Sequence, residues 1–120
     1  MPKIKIEEST NEQLDYAVAV ELGKECSIGT DGCIVKYTTK FSTGWEKYSP
    51  TANTPTGQAQ CSDLIDKFFI TQEYETPEQE WFCRIRGHGY AGVFDKSRQK
   101  AVCKAFLWAQ HPDGYIEVQE

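Results

Sequence analysis

Between Asn11 and Leu22 apolar residues recur at helical spacing. Leu14, Ala17 and Val18 fall on one face, with Leu22 one turn further. Thr10 with Gln13 three residues on reads as a capping box, and Gly23 stands where a left-handed residue closes a helix. The pattern predicts a helix over 11–22. A second helical pattern starts at Ser97 or Asp95 and runs to about Gln110, with Ala101, Val102, Ala105, Phe106 and Ala109 as its apolar stripe. A shorter one covers 62–69, with Leu64, Ile65 and Phe68 on a shared face. Ser62 is its N-cap unless the helix starts earlier, near Gln58.

Elsewhere the period is two. Trp81, Cys83 and Ile85 alternate with Phe82, Arg84 and Arg86, so each set lines one face of a strand. Gly87-His88-Gly89 reads as a tight turn and Tyr90 to Phe94 as the returning strand, which makes a hairpin. Cys33 to Thr38 is rich in β-branched and aromatic residues and predicts a strand after the turn at Gly29, Asp31 and Gly32. Lys3–Ile6, Ile70–Tyr74 and Tyr115–Val118 complete the predicted strands. From 39 to 60 the pattern is lost among Gly, Pro, Ser, Thr and Asn. This segment reads as a long loop, and its Trp45 and Tyr48 suggest that it packs on something. The expected architecture is a single domain over 1–120 of the α+β class. It has a small, mostly antiparallel sheet with the two main helices packed on one face.

Composition narrows the class. With 39% hydrophobic and 26% charged residues the chain has the make-up of a folded globular protein. A net charge of -5 makes nucleic acid an unlikely general partner. No apolar run reaches the ~20 residues of a membrane span. The start, Met-Pro-Lys-Ile-Lys-Ile, lacks the apolar stretch of a signal peptide, so the expected location is the cytoplasm. The five cysteines, Cys26, Cys33, Cys61, Cys83 and Cys103, include no Cys-x-x-Cys pair, which speaks against a zinc site. Cys83 and Cys103 sit in apolar patterns as small core residues, and all five are expected to be free thiols.

The run Leu14-Asp15-Tyr16-Ala17-Val18-Ala19, after a short N-terminal strand, resembles the first helix of the NinX-like proteins of tailed phages and prophages. Tyr48-Ser49-Pro50-Thr51 is similar to their mid-chain Ser/Pro segment. Leu64-Ile65 is similar to the apolar pair before their hairpin, and Ala101 to Phe106 to their C-terminal helix. Asn53 to Gln60 departs from the pattern in having no Trp. The family has no assigned activity. The resemblance therefore implies a phage or prophage origin, with a bacterial host cell as the location, and not a reaction.

Charge asymmetry supplies the sharpest candidate site. Arg84 to Lys104 carries +5 through Arg84, Arg86, Lys96, Arg98, Lys100 and Lys104 against Asp95, leaving -10 for the rest. Cations beside the free N–H groups of a helix start would suit a phosphate or carboxylate, whereas a solvated face paired with Glu73 to Glu80 is the plainer alternative. His88, next to Arg86, would contact an anion or serve as an acid–base group, but it has no nucleophile or carboxylate partner in sequence. Two histidines without a third ligand make no metal site. Gly87-x-Gly89-x-x-Gly92 matches a dinucleotide fingerprint by letter only, because it joins two strands where the fingerprint needs a strand followed by a helix.

The candidate binding residues are Trp45, Tyr48, Arg84, Arg86, His88, Arg98 and Lys100, with no catalytic residue, metal or cofactor. The leading expectation is a small phage- or prophage-encoded accessory protein that binds a host or phage protein without catalysis, one version being an inhibitor of a bacterial defence system. The alternative is a small-ligand or anion-binding protein, or an enzyme, built on Arg84, Arg86, His88 and the 39–60 loop.

Overall fold

A computed structural model describes residues 2–85 and 92–118. Along the chain these form β1 (Lys3–Lys5), a 3-10 turn (Ile6–Glu8), α1 (Asn11–Glu21), β2 (Cys26–Gly29), β3 (Gly32–Thr38) and β4 (Thr43–Lys47). There follow α2 (Pro55–Phe68), β5 (Ile70–Glu75), β6 (Glu80–Ile85), β7 (Val93–Asp95), α3 (Arg98–Gln110) and β8 (Tyr115–Glu117). The fold is α+β and every described strand pair is antiparallel.

The described strands form three sheets where the sequence predicts one. β1 pairs with β8, β2-β3-β4 form a second sheet, and β5-β6-β7 a third. The two main helices accordingly divide the work. α3 covers the β5-β6-β7 sheet, while α1 packs on α3 and on β2 and β3. α1 and β6 thus each pack on α3, and the two main helices do not share one sheet face. Phe106 of α3 is fully buried between these layers, with its ring centroid 4.7 Å from that of Phe68 in α2.

The helix ends follow their local signals. Thr10 and Gln13 form both bonds of the capping box, and Gly23 has φ +75. Ser97 caps α3 by accepting from Lys100 N–H. At the far end His111 bonds Glu21, tying the close of α3 to the close of α1.

The segment 39–60 is not a loop. It contains β4 and the first turns of α2, which starts at Pro55, seven residues before the expected Ser62, and is capped by Thr54. Gly44 hides the strand signal. The Tyr37 ring lies over it from β3, so close that a Cβ there would come 2.8 Å from the hydroxyl. β2, absent from the prediction, pairs with β3 across the turn at Thr30–Asp31.

Candidate functional site

The β5-β6-β7 sheet has one covered face and one open face. Cys83, Ile85 and Val93 point inward and are buried under α3. The alternation then sends Phe82, Arg84 and Phe94 to the other side. Phe82 and Phe94 stand directly opposite each other, with ring centroids 4.8 Å apart. Phe94 remains 52% exposed. Arg84 lies beside them, opposite Thr71, whose hydroxyl donates to the Arg84 carbonyl at 3.2 Å. Gly92 completes the patch. A Cβ there would lie 2.3 Å from the Cys83 carbonyl oxygen and 2.9 Å from the Phe82 ring, so only glycine lets β7 enter alongside that aromatic pair.

The predicted basic cluster does not share a face. Arg84 is on the open side of the sheet. Arg98 and Lys100 ride on α3, which covers the other side. Arg98 is half-buried, its Nε has no hydrogen-bond partner among the described residues, and its charge bears on the inward thiols of Cys61 and Cys83. The cause of the split is strand alternation: when Cys83 turns in to meet α3, Arg84 must turn out. Neither Arg84, Arg98 nor Lys100 forms an ion pair among the described residues, so pairing with Glu73 to Glu80 is not seen either. Arg86 and His88 lie outside the described residues.

Lys104 is removed from the basic cluster altogether. It is only 5% exposed and donates to Asp95 at 2.8 Å and to Glu7 at 3.3 Å. Trp108 Nε1 donates to the same Glu7 carboxylate at 3.2 Å. Burial opposes the Asp95 charge, but Lys104 and the Ser97 N–H outweigh it and hold the carboxyl below its usual range. The triad joins the 3-10 turn, β7 and α3, which is a structural role.

Trp45 and Tyr48 also part company. Trp45 is half exposed on β4, whereas Tyr48 is only 5% exposed and its ring is part of the core. Tyr48 forms the floor of an open cleft of about 580 Å3 between the end of α1, β4 and α2. Lys24, Glu46, Asp63, Asp66 and Lys67 line it, and Lys24 Nζ sits 5.8 Å from the Tyr48 ring centroid. Three carboxylates against two ammonium groups make this a mixed surface with no bias toward anions.

One feature escaped the sequence reading. Asp15, inside α1, is only 4% exposed, and both its oxygens accept from Thr51, one from the N–H and one from the hydroxyl, each at 3.1 Å. Burial pushes its carboxyl up to about 7, against the lowering effect of those bonds. The available signal was an acid flanked by Leu14, Tyr16, Ala17 and Val18 in a helix too apolar to leave it in water. Its partner, 36 residues away, carried no signal.

All five cysteines are free. Burial pushes the thiols of Cys33 and Cys83 up to about 12 and that of Cys61 to about 11, and raises Cys26 and Cys103 as well. Thiolate is the reactive form. A thiol reagent at pH 8 should therefore label the native protein slowly, at half-buried Cys26 first, and reach all five thiols on denaturation. Fast labelling of Cys83 or Cys103 in the native state would contradict this packing.

Among the described residues no three His, Cys, Asp or Glu side chains converge as metal ligands, and no helix is long and apolar enough to cross a membrane. Fold and surface together define a small α+β protein whose distinguishing features are open sheet faces carrying aromatic residues. No protein-family model and no curated protein matches the chain.

Proposed function

We propose that this is a small phage- or prophage-encoded accessory protein that acts by binding a host or phage protein, without catalysis. The origin rests on the resemblance carried by Leu14 to Ala19 and Tyr48 to Thr51. The binding role rests on one observation: the Phe82–Phe94 pair, flanked by Arg84, which forms no ion pair among the described residues, on a sheet face that no described element covers. Aromatic residues and arginine are the side chains most enriched at the energetic centre of protein interfaces. Inhibition of a bacterial defence system is one form this binding would take.

Phe94 and Arg84 stand on the open face, so changing them should leave the fold intact at a cost of about 1 kcal/mol, the loss of the Phe82–Phe94 pair. Phe94→Ser with Arg84→Glu should abolish capture of the partner by the immobilised protein from host extract, read by mass spectrometry against the wild type. A partner retained unchanged by the double variant would refute this face as the binding site.

A further inference from the structure

The outer edge of β4 is a second surface, independent of the face just described. In the β3–β4 ladder Tyr48 N–H donates to the Cys33 carbonyl at 3.0 Å, and Thr39 N–H to the Ser42 carbonyl at 2.7 Å. Bonded and open pairs alternate between these fixed ends. Gly44 and Glu46 therefore turn their backbone groups to β3, and Thr43, Trp45 and Lys47 turn theirs away. β4 is the last strand of its sheet. Gln60 Nε2 donates to the Lys47 carbonyl at 3.1 Å and closes that end of the edge. The outward groups of Thr43 and Trp45 meet no element among the described residues. Edge strands are ordinarily blunted by Pro, a bulge, shortness or a charge, Lys above all, and in β4 the one Lys stands at the end that Gln60 holds. β4 has no Pro and pairs regularly with β3 along its whole length. It presents the half-exposed Trp45 at its centre, and Phe41, 90% exposed, at the hairpin tip.

We infer that β4 pairs antiparallel with β4 of a second copy of this chain, about a two-fold axis at Trp45. The charges select this occupant and this register. With Trp45 facing its own copy, Thr43 lies opposite Lys47 and Gly44 opposite Glu46, so no like charges meet. Centring on Lys47 instead sets two ammonium groups face to face. Centring on Thr43 carries the ladder into the turn at 39–42. Only the Trp45 register sets all five residues of the strand opposite one another, with ladder bonds at its centre and from each Lys47 N–H to Thr43. The outward N–H and C=O groups of Trp45 and the outward C=O of Thr43 then find partners, while the Lys47 carbonyl stays with Gln60, and the two indoles form an aromatic pair across the axis. Followed two residues further, the register brings the tip, Lys40 and Phe41, level with Tyr48 to Pro50 of the other copy. That is where the cleft opens, with Asp63 and Asp66 on its α2 wall to receive Lys40. The interface is isologous: each copy supplies both a tip and a cleft.

Sedimentation equilibrium from about 10 μM to 1 mM is the test, the expected result being a shift toward twice the monomer mass of 13.7 kDa. Trp45→Lys, which sets two cations across the axis, should weaken association at least ~30-fold with an unchanged thermal melt. Lys40→Glu, which turns the tip against Asp63 and Asp66, should weaken it about tenfold. Phe94→Ser should dimerise like the wild type, which separates this surface from the partner-binding face. A wild type that stays monomeric at 1 mM, a Trp45→Lys variant that still dimerises, or Lys40→Glu without effect would each overturn the assignment.

Discussion

Asp15→Asn should make the protein more stable at pH 8 and leave it nearly unchanged at pH 4. The Asp15 carboxyl is raised from 3.8 to about 7, chiefly because burial penalises its charge. A folded-state pKa above the unfolded one stabilises the fold fully below the unfolded value, and the contribution is lost as pH rises through the folded value. The window therefore runs from about pH 4 to pH 7, and the whole difference is on the order of 4 kcal/mol at most. Asn keeps an oxygen to accept from Thr51 N–H and offers an N–H to the Thr51 hydroxyl, so it copies the neutral acid. Urea unfolding midpoints of both proteins between pH 4 and pH 8 would show it: the wild-type midpoint falls with pH and the variant's stays flat. A variant weaker than the wild type at pH 8 would mean that the Thr51 bonds to the charged carboxylate outweigh its burial, contrary to this expectation.

Gly57→Ala should cost about 3 kcal/mol, although alanine is the better helix former by about 1 kcal/mol. Gly57 lies in the first turn of α2 with Ser49 to Ala52 pressed against it. An added Cβ would stand 2.3 Å from the Ala52 carbonyl oxygen and 2.5 Å from that of Ser49. Both are backbone atoms of a turn that cannot retreat. Pro50 is fully buried, Thr51 is held by Asp15, and the Ala52 carbonyl accepts from Gln99 Nε2 at 2.8 Å. One segment is thus clamped by all three helices, and the methyl group would have to break a clamp. Gly44→Ala is the control: the nearest atom there is the end of the Tyr37 side chain, which can swing aside, so a cost under about 1 kcal/mol is expected. Chemical denaturation compares the two. A Gly57→Ala protein as stable as the wild type would show that the turn is free to shift.

The contrast between these glycines bears on what was legible. Thr10, Gln13 and Gly23 act within one turn of their own helix, so their spacing alone placed both ends of α1, while for the start of α3 it left Asp95 or Ser97, of which Ser97 is the cap. The alternation in β6 likewise set Cys83 inward and Arg84 outward, because a strand has a period of two whatever lies around it. Gly44 and Gly57 read as loop residues, and both sit inside regular elements. Their reason is across space: Tyr37 covers one, and the Ser49 to Ala52 turn lies on the other.

The candidate site divides the same way. The sequence by itself determined the α+β class, the caps of α1 and the common face of Phe82 and Arg84, since each follows from neighbours a few residues apart. Only the tertiary structure decided that the described strands form three sheets. It also decided that Arg84 and Arg98 lie on opposite sides of one of them, that Lys104 is spent on Asp95 and Glu7, that Tyr48 is core while Trp45 is surface, and that Asp15 meets Thr51. Those outcomes depend on contacts between residues far apart in the chain. Burial and long-range hydrogen bonding set them, and neither is encoded in local spacing.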